Sequence, residues 1–255
     1  MSADMIPAIV LSVKDYGEAD RLVTFLTPDR GRLTGLARHA RKSKKRFAHC
    51  LEPLSRVDFT LSPRRRGDLE FLQQGELVQA FASLRRDLPR LAAAAILAEL
   101  AGELASPPEA ASGIFTALEE ALKEIEAGMP PDSLLPAYLP HLLRWGGYGL
   151  KLDVCRACGR EPAPPLWFSL PVGAMYCGPC SRQAPGPLLS LNPGSFKLLR
   201  LAHNLPREKL SRLRFPPRQR DQCLGALRLF IRHHVGRDLK SWSFWEKLKE
   251  NGGDA

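Results

Sequence analysis

The first 80 residues alternate between short apolar stretches and clusters of turn-forming residues. Five stretches are apolar or alternate between apolar and polar positions: 5–13, 21–26, 32–37, 54–61 and 69–81. Clusters of Gly, Pro and Asp at 15–18, 27–31 and 62–67 separate them, and such clusters close hairpins. Alternation predicts strands, and five strands in about 75 residues predict a small closed barrel. A five-stranded OB-fold is the leading candidate, although strand count alone does not exclude another small barrel.

The pattern changes near residue 83, where apolar positions begin to recur at the spacing of an α-helix. Pro-rich breaks at 106–108 and 128–131 interrupt this part of the chain. The predicted helices are 88–105, 112–127, 133–147, 193–202, 207–212 and 218–235. Asn192 is the expected N-cap of the fourth helix, with Pro193 in its first position.

Residues 153–187 are rich in Pro, Gly and Cys and have no helical period, which predicts a module built from loops around a metal. The predicted fold class is therefore α+β with several domains. We expect an N-terminal OB-fold barrel at 1–82, an α-helical body at 83–152 and 188–255, and an inserted four-cysteine zinc module at 153–187.

Four cysteines form two Cys-x-x-Cys pairs that are 18 residues apart: Cys155, Cys158, Cys177 and Cys180. This spacing is typical of a zinc site to which two short turns contribute two thiolates each. Because four sulfurs leave no position open for water, we predict one structural Zn²⁺ per chain. The alternative is a thiol-disulfide active site at 177–180, but a Pro-rich loop opposite a second pair does not suit a thioredoxin-like unit. We expect Cys50 and Cys223 to be buried structural cysteines.

The formal net charge is +10, and its position is more informative than its size. Between residues 30 and 66 there are 12 Lys and Arg and two acids, so this stretch accounts for the whole excess. Clustered cations repel one another, and phosphates relieve that repulsion with release of counterions. We therefore predict a DNA-binding surface composed of Arg32, Arg38, Arg41, Lys42, Lys44, Lys45, Arg46, Arg64, Arg65 and Arg66. The alternative is a solvated loop that only favours solubility.

The mode of binding is expected to be led by phosphates, with little base preference. No helix-turn-helix, Cys2His2 finger or long basic helix is present to read the major groove. Tyr16, Phe25, Phe47 and Phe59 are candidate stacking platforms for unpaired bases, although each such residue more often belongs to a core. A second basic region, 200–240, could extend the DNA path, receive an acidic peptide with an apolar tip, or form the polar face of packed helices.

The sequence lacks the motifs of common enzyme classes. It has no Gly-x4-Gly-Lys-Ser/Thr loop, no Gly-x-Gly-x-x-Gly motif and no His-Glu-x-x-His, so we expect a protein that is not an enzyme. Its longest apolar run, Leu91–Ala98, is much shorter than the roughly 20 residues that span a bilayer. The N-terminus lacks the basic region of a secretory signal. We therefore expect a cytoplasmic, nucleoid-associated protein without a membrane partner.

The stretch 16–31, Tyr-Gly-Glu-Ala-Asp-Arg-Leu-Val-Thr-Phe-Leu-Thr-Pro-Asp-Arg-Gly, is followed by Ala-Arg-His-Ala-Arg-Lys-Ser, and together they resemble the N-terminus of the RecO family of bacterial recombination mediators. The order of parts agrees across nearly the whole chain. That family has an N-terminal OB-fold, a helical body and, in many members, an inserted four-cysteine zinc module. The stretch 234–241 also resembles the C-terminal element of the family, with Trp242 where a basic residue is expected.

The resemblance implies a function without nucleotide hydrolysis. The protein would bind single- and double-stranded DNA, anneal complementary strands and help to load recombinase onto strands covered by single-strand-binding protein (SSB). A RecR-like protein and the acidic C-terminal tail of SSB would be its partners. Two other classes stay open at this point: an RNA-binding translation or transcription accessory factor, since the same barrel and basic loop would suit RNA, and a thiol oxidoreductase.

Overall fold

The structure, a computed structural model, describes residues 5–43, 45–62, 69–105 and 108–252. The chain divides into two units, Met1–Glu126 and Ala127–Ala255. Within the described ranges, the helices are all too short or too polar to cross a lipid bilayer.

Five strands of the first unit form a closed barrel. They are β1 (Met5–Tyr16), β2 (Asp20–Thr27), β3 (Gly31–Ala37), β4 (Arg56–Leu61) and β5 (Leu69–Gln79). The order around the barrel is β1-β2-β3-β5-β4, with β3 and β5 parallel and the other neighbours antiparallel. This is an OB-fold barrel, so the fold predicted for the N-terminal part is confirmed.

Apolar side chains from all five strands fill the barrel. Phe25 and Phe59 are fully buried there and meet edge to face, with ring centroids 5.1 Å apart. The basic segment between β3 and β4 contributes Phe47, Cys50 and Leu51 to the same core. These apolar residues hold the basic segment to the barrel, and the expected burial of Cys50 is confirmed.

The described part of the first unit also contains two α-helices: α1 (Leu88–Leu104) and α2 (Pro108–Glu126). α1 is buried at most of its positions because it packs against α2, β1 and β2. Asp87 caps it by accepting a hydrogen bond from the Arg90 N–H at 3.0 Å. α2 begins four residues before the predicted start, since Pro108 occupies its first position, where no backbone N–H is needed.

Gly31 begins β3 at a position that only glycine tolerates. Its φ is +66°, and a Cβ there would lie 2.3 Å from the carbonyl oxygen of Ala105. We expect Gly31→Ala to lower the free energy of unfolding by about 3 kcal/mol, because backbone strain and the clash add together. Gly17→Ala is the matched control: its φ is +60° but the space around its Cβ is open, so we expect a loss of about 1 kcal/mol. Urea denaturation measures both, and equal losses would contradict the packing argument.

The helices described in the second unit are α3 (Pro131–Trp145), α4 (Pro193–Asn204), α5 (Pro217–Val235) and α6 (Lys240–Gly252). The first three agree with the predicted helices, and Asn192 caps α4 by accepting a hydrogen bond from the Ser195 N–H at 2.8 Å. The predicted helix at 207–212 is a 3₁₀ helix, Arg207–Arg212. α6 was not predicted from the sequence; it is anchored by the buried side chains of Trp242 and Trp245.

Residues 153–187 contain regular structure, which corrects the prediction of a module built from loops alone. β6 (Leu166–Ser169) pairs with β7 (Ala174–Cys177) and β8 (Leu188–Leu191) in a three-stranded antiparallel sheet. Strands of four residues are too short to show a clear period in the sequence. The predicted boundaries of the barrel, the helical body and the module stay predictions.

Candidate metal centre and nucleic-acid groove

Two backbone turns bring the four predicted cysteine ligands together. Cys155 and Cys158 lie in a turn that Gly159 closes, since its N–H donates to the Cys155 carbonyl at 2.9 Å and its φ is +70°. Cys177 ends β7. Cys180 follows in a second turn, in which its N–H donates to the Cys177 carbonyl at 3.0 Å.

The four Sγ atoms all lie within 4.8 Å of one another. A tetrahedral zinc ion with Zn–S bonds of about 2.3 Å places its sulfurs roughly 3.8 Å apart, which is compatible with this limit. Cys155 is buried, and the Cys177 N–H donates to its Sγ at 3.4 Å. Hydrogen bonds of this kind orient thiolate ligands. The four residues are therefore close enough to hold a metal ion.

The acidities of these thiols depend on one another. Burial opposes the ionisation of Cys155, but the N–H groups of Cys158, Cys177 and Ala157 lower its pKa to about 6. Burial and the neighbouring thiols of Cys155 and Cys158 raise the pKa of Cys180 to about 12. Each thiolate opposes the ionisation of the neighbouring thiols, because like charges repel. Four thiolates therefore coexist only around a positive ion. The contact between the two pairs also argues against the thiol-disulfide alternative, which needs one separate pair.

A groove of about 530 Å³ lies on the barrel beside β5. It is lined by Leu36, Arg38, Arg46, Ser62, Phe71, Leu72, Gln73 and Gln74. The Arg38 guanidinium lies over the Phe71 ring, 4.9 Å from its centroid. Arg46 Nη2 donates to the Arg38 carbonyl at 2.7 Å, and the Gly75 N–H donates to the Arg46 carbonyl at 2.8 Å. The groove thus combines two guanidinium groups, a half-buried aromatic ring and two exposed amides.

The predicted DNA-binding cations do not all occupy this groove. Arg38 and Arg46 line it, and neither contacts a carboxylate within the part of the chain that the structure describes. Lys42 and Lys45 are exposed on the same basic segment. Arg41 donates to the Glu18 carbonyl at 3.2 Å and lies 3.9 Å from Asp15.

Arg32 is separated from the others. It lies at the opposite end of β3 from Arg38, about 20 Å away at the rise of an extended strand. Its guanidinium is 3.9 Å from the Glu103 carboxylate. Four further predicted cations, Lys44, Arg64, Arg65 and Arg66, lie outside the described residues. DNA contact by each of the ten residues stays a prediction.

The aromatic residues suggested by the sequence as stacking platforms do not line this groove. Phe25, Phe47 and Phe59 belong to the barrel core, and Tyr16 is exposed at the end of β1. Phe71 lines the groove instead, and it was not among the residues predicted from the sequence. The only signal in the sequence was the position of Phe71 on a predicted strand, between an acid and a leucine. Arg38 is distant from Phe71 in sequence, and the parallel pairing of Leu36 with Phe71 brings the two side chains together.

The barrel, the helices and the four-cysteine centre together define an OB-fold protein with a candidate metal-binding module. Residues 1–81 match the family model described as Recombination protein O N terminal. Residues 85–243 match the model described as Recombination protein O C terminal. The chain belongs to the RecO family of DNA repair proteins.

Relatives named DNA repair protein RecO support this assignment along the whole chain. The relative from Anaeromyxobacter dehalogenans (strain 2CP-1) is 34% identical over 250 residues, which cover 97% of this chain and 98% of the relative. The relative from Myxococcus xanthus (strain DK1622) is 35% identical over 244 residues, covering 94% and 96%. The relative from Syntrophus aciditrophicus (strain SB) is 30% identical over 246 residues, covering 95% of each.

Proposed function

We propose that this protein mediates DNA repair by homologous recombination. It binds single- and double-stranded DNA, anneals complementary strands and helps to load a recombinase onto single strands covered by SSB. The observation that carries the proposal is the groove of Arg38, Arg46 and Phe71 on the OB-fold barrel of a RecO-family chain. Guanidinium groups attract phosphates irrespective of sequence, and an aromatic ring can stack against any unpaired base.

The groove suits a single strand in particular. The Arg38 guanidinium covers one face of the Phe71 ring. An incoming base therefore either displaces the guanidinium from the ring or stacks on the face of the guanidinium that points away from the ring. Gln73 and Gln74 are exposed along the same groove and offer amides to base edges. The exposed Lys42 and Lys45 are suited to phosphates of either a single strand or a duplex.

The four-cysteine centre is proposed to hold one structural Zn²⁺. Four thiolates are soft ligands that select zinc over hard cations, and they leave no coordination position for a substrate. The metal would stabilise the short sheet of β6, β7 and β8, whose strands have four residues each. This role requires no catalysis by the centre.

A RecR-like protein and the acidic C-terminal tail of SSB are the proposed partners. Exposed cations of the basic segment have the charge that such a tail requires. The sequence contains no Gly-x4-Gly-Lys-Ser/Thr loop, and the proposed annealing needs none, since it proceeds without nucleotide hydrolysis.

Annealing of complementary strands covered by SSB, in the absence of ATP, tests the proposal. We expect the protein to accelerate duplex formation, because bound strands are neutralised and held together. Competition with unlabelled oligonucleotides of one sequence should show stronger displacement by single-stranded DNA than by RNA. No acceleration of annealing would contradict the mediator function, and preferential displacement by RNA would favour an RNA-binding accessory factor.

A further inference from the structure

The basic region at 200–240 divides into two groups that differ in their contacts. On α5, Arg220 lies 2.6 Å from Asp132 and 2.8 Å from Asp221, and Arg228 lies 3.3 Å from Asp238. These cations are neutralised within their own unit. They form the polar face of packed helices, one of the three roles that the sequence left open.

The second group occupies the 3₁₀ helix Arg207–Arg212 and the residues that follow it. It contains five cations and one acid: Arg207, Lys209, Arg212, Arg214 and Arg218, with Glu208. Leu210, Leu213 and Phe215 are buried and hold this segment to the unit. The cations between these anchors therefore face outward, and Lys209 and Arg212 are exposed.

Lys209 and Arg212 present their charges on one face. Side chains three residues apart in a 3₁₀ helix lie above one another, so the two cations are stacked along its axis. Within the described part of the chain, neither contacts a carboxylate. Their charges are thus available to an anionic ligand, in contrast to those of Arg220 and Arg228.

A cleft of about 480 Å³ lies between this 3₁₀ helix and the end of α3. It is lined by His141, Arg144, Trp145, Asn204, Leu205, Pro206, Arg207 and Glu208. Trp145 is 46% exposed, whereas tryptophan is usually well buried. Arg144 beside it is also exposed. His141 is buried, with Nε2 2.9 Å from the Ala202 carbonyl oxygen; burial lowers its pKa, so it adds no charge at neutral pH.

The chemistry of the cleft favours a nucleic-acid strand over a peptide. The cleft is open to solvent, and an exposed indole and two arginines line it, whereas an apolar peptide tip requires an enclosed pocket. Trp145 is exposed next to Arg144, and the 3₁₀ helix on the other side of the cleft carries the exposed Lys209 and Arg212. Exposed aromatic rings and nearby cations are the groups that bind unpaired bases and their phosphates.

We propose that Arg144, Trp145, Lys209 and Arg212 form a second binding site for single-stranded nucleic acid, here named the Trp145 surface. A base stacks on Trp145, and the phosphates on either side of it contact the cations. The inference rests on the proposed function and deepens it. A chain with one binding site for single-stranded nucleic acid in each unit can hold two such strands at once. Each bound strand then experiences a raised effective concentration of the other strand.

The test uses the full-length chain and four sets of substitutions. The first set is Arg144→Gln, Lys209→Gln and Arg212→Gln; the second is Arg38→Gln and Arg46→Gln in the barrel groove; the third combines both. The fourth set is the matched control in the same unit, in which three other exposed cations are changed: Arg156→Gln, Arg182→Gln and Lys197→Gln. Circular dichroism verifies that each variant is folded.

Fluorescence anisotropy with a labelled oligo-dT, measured over a range of salt concentrations, supplies the first readout. We expect the variant with the second set of substitutions to retain binding of the oligonucleotide. Its affinity should fall about tenfold when the first set of substitutions is combined with it. The slope of log affinity against log salt should decrease by about 2, because three phosphate contacts contribute about 0.7 each. The control set should retain the affinity of the unchanged chain.

Photo-cross-linking with 5-iododeoxyuridine in the oligonucleotide supplies the second readout, and we expect a cross-link at Trp145. The proposal of a second site would be overturned if the first set of substitutions did not reduce the binding that remains in the barrel variant and if no cross-link formed at Trp145. The proposed function would still stand if the barrel variant alone had lost affinity, and it would fail if neither set affected binding. Cross-linking of Trp145 to an acidic peptide that DNA does not displace would also overturn the inference.

Discussion

Replacing Cys177 with serine is expected to abolish stoichiometric metal binding and to unfold the structure around β6, β7 and β8. The wild-type chain should carry one zinc ion, since its four Sγ atoms lie within 4.8 Å of one another. Structural zinc contributes about 10–16 kcal/mol of apparent binding free energy in zinc-finger peptides. Losing one of four ligands removes most of this contribution from a small sheet. Elemental analysis measures the metal, and limited proteolysis at 153–187 measures the local unfolding.

Cys223→Ala is the matched control for this substitution. Cys223 is buried in α5 and is not one of the four clustered cysteines. Burial raises the pKa of its thiol to about 12, so it is not a reactive thiolate. The variant should retain its zinc even if the buried cavity lowers its stability. A wild-type chain that binds no metal and reduces insulin through Cys177 would contradict the metal centre and favour the oxidoreductase.

Changing Arg38 and Arg46 to glutamine is expected to weaken the binding of single-stranded DNA and to reduce its salt dependence. Both guanidinium groups line the groove beside β5. Because each phosphate contact contributes about 0.7 to the salt slope for a single strand, the slope should fall by about 1.4. Lys14→Gln with Arg86→Gln removes the same charge from exposed positions of the same unit outside the groove. Unchanged affinity in the groove variant, or an equal loss in the control, would contradict this placement.

Phe71→Leu separates stacking from charge in the same groove. Leucine keeps an apolar side chain in the groove but lacks a flat ring, and base stacking contributes about 1–3 kcal/mol per base. We therefore expect roughly tenfold weaker binding of single-stranded DNA, with an unchanged salt slope. Binding of duplex DNA should change less, since its bases already stack on one another. An equal loss for both forms of DNA would indicate a structural effect of the substitution.

The strands of the barrel could be predicted because their pattern is local. Alternating apolar positions on β1 and β2, separated by turn residues, occur within 30 residues of sequence. The short strands β6, β7 and β8 could not be predicted in this way, since four residues contain only two alternations. They are instead stabilised by pairing and by burial of Cys155, Ala174 and Tyr176.

The candidate sites differ in how far the sequence could define them. The clustering of the four cysteines could be predicted from their spacing, because Cys-x-x-Cys turns are short and their geometry is determined locally. The groove required long-range pairing: the parallel register of β3 and β5 brings Phe71 beneath Arg38, which lies 33 positions earlier in the chain.

The sequence by itself determined the class of fold, the four cysteines of the candidate metal centre and the concentration of charge between residues 30 and 66. Tertiary structure alone decided which cations remain available to a ligand. Arg220 is neutralised by Asp132, 88 positions away in the chain, whereas Lys209 and Arg212 are exposed and contact no carboxylate in the described residues. The physical reason is that a charge acts through distance in space, and folding sets those distances between residues that are far apart in sequence.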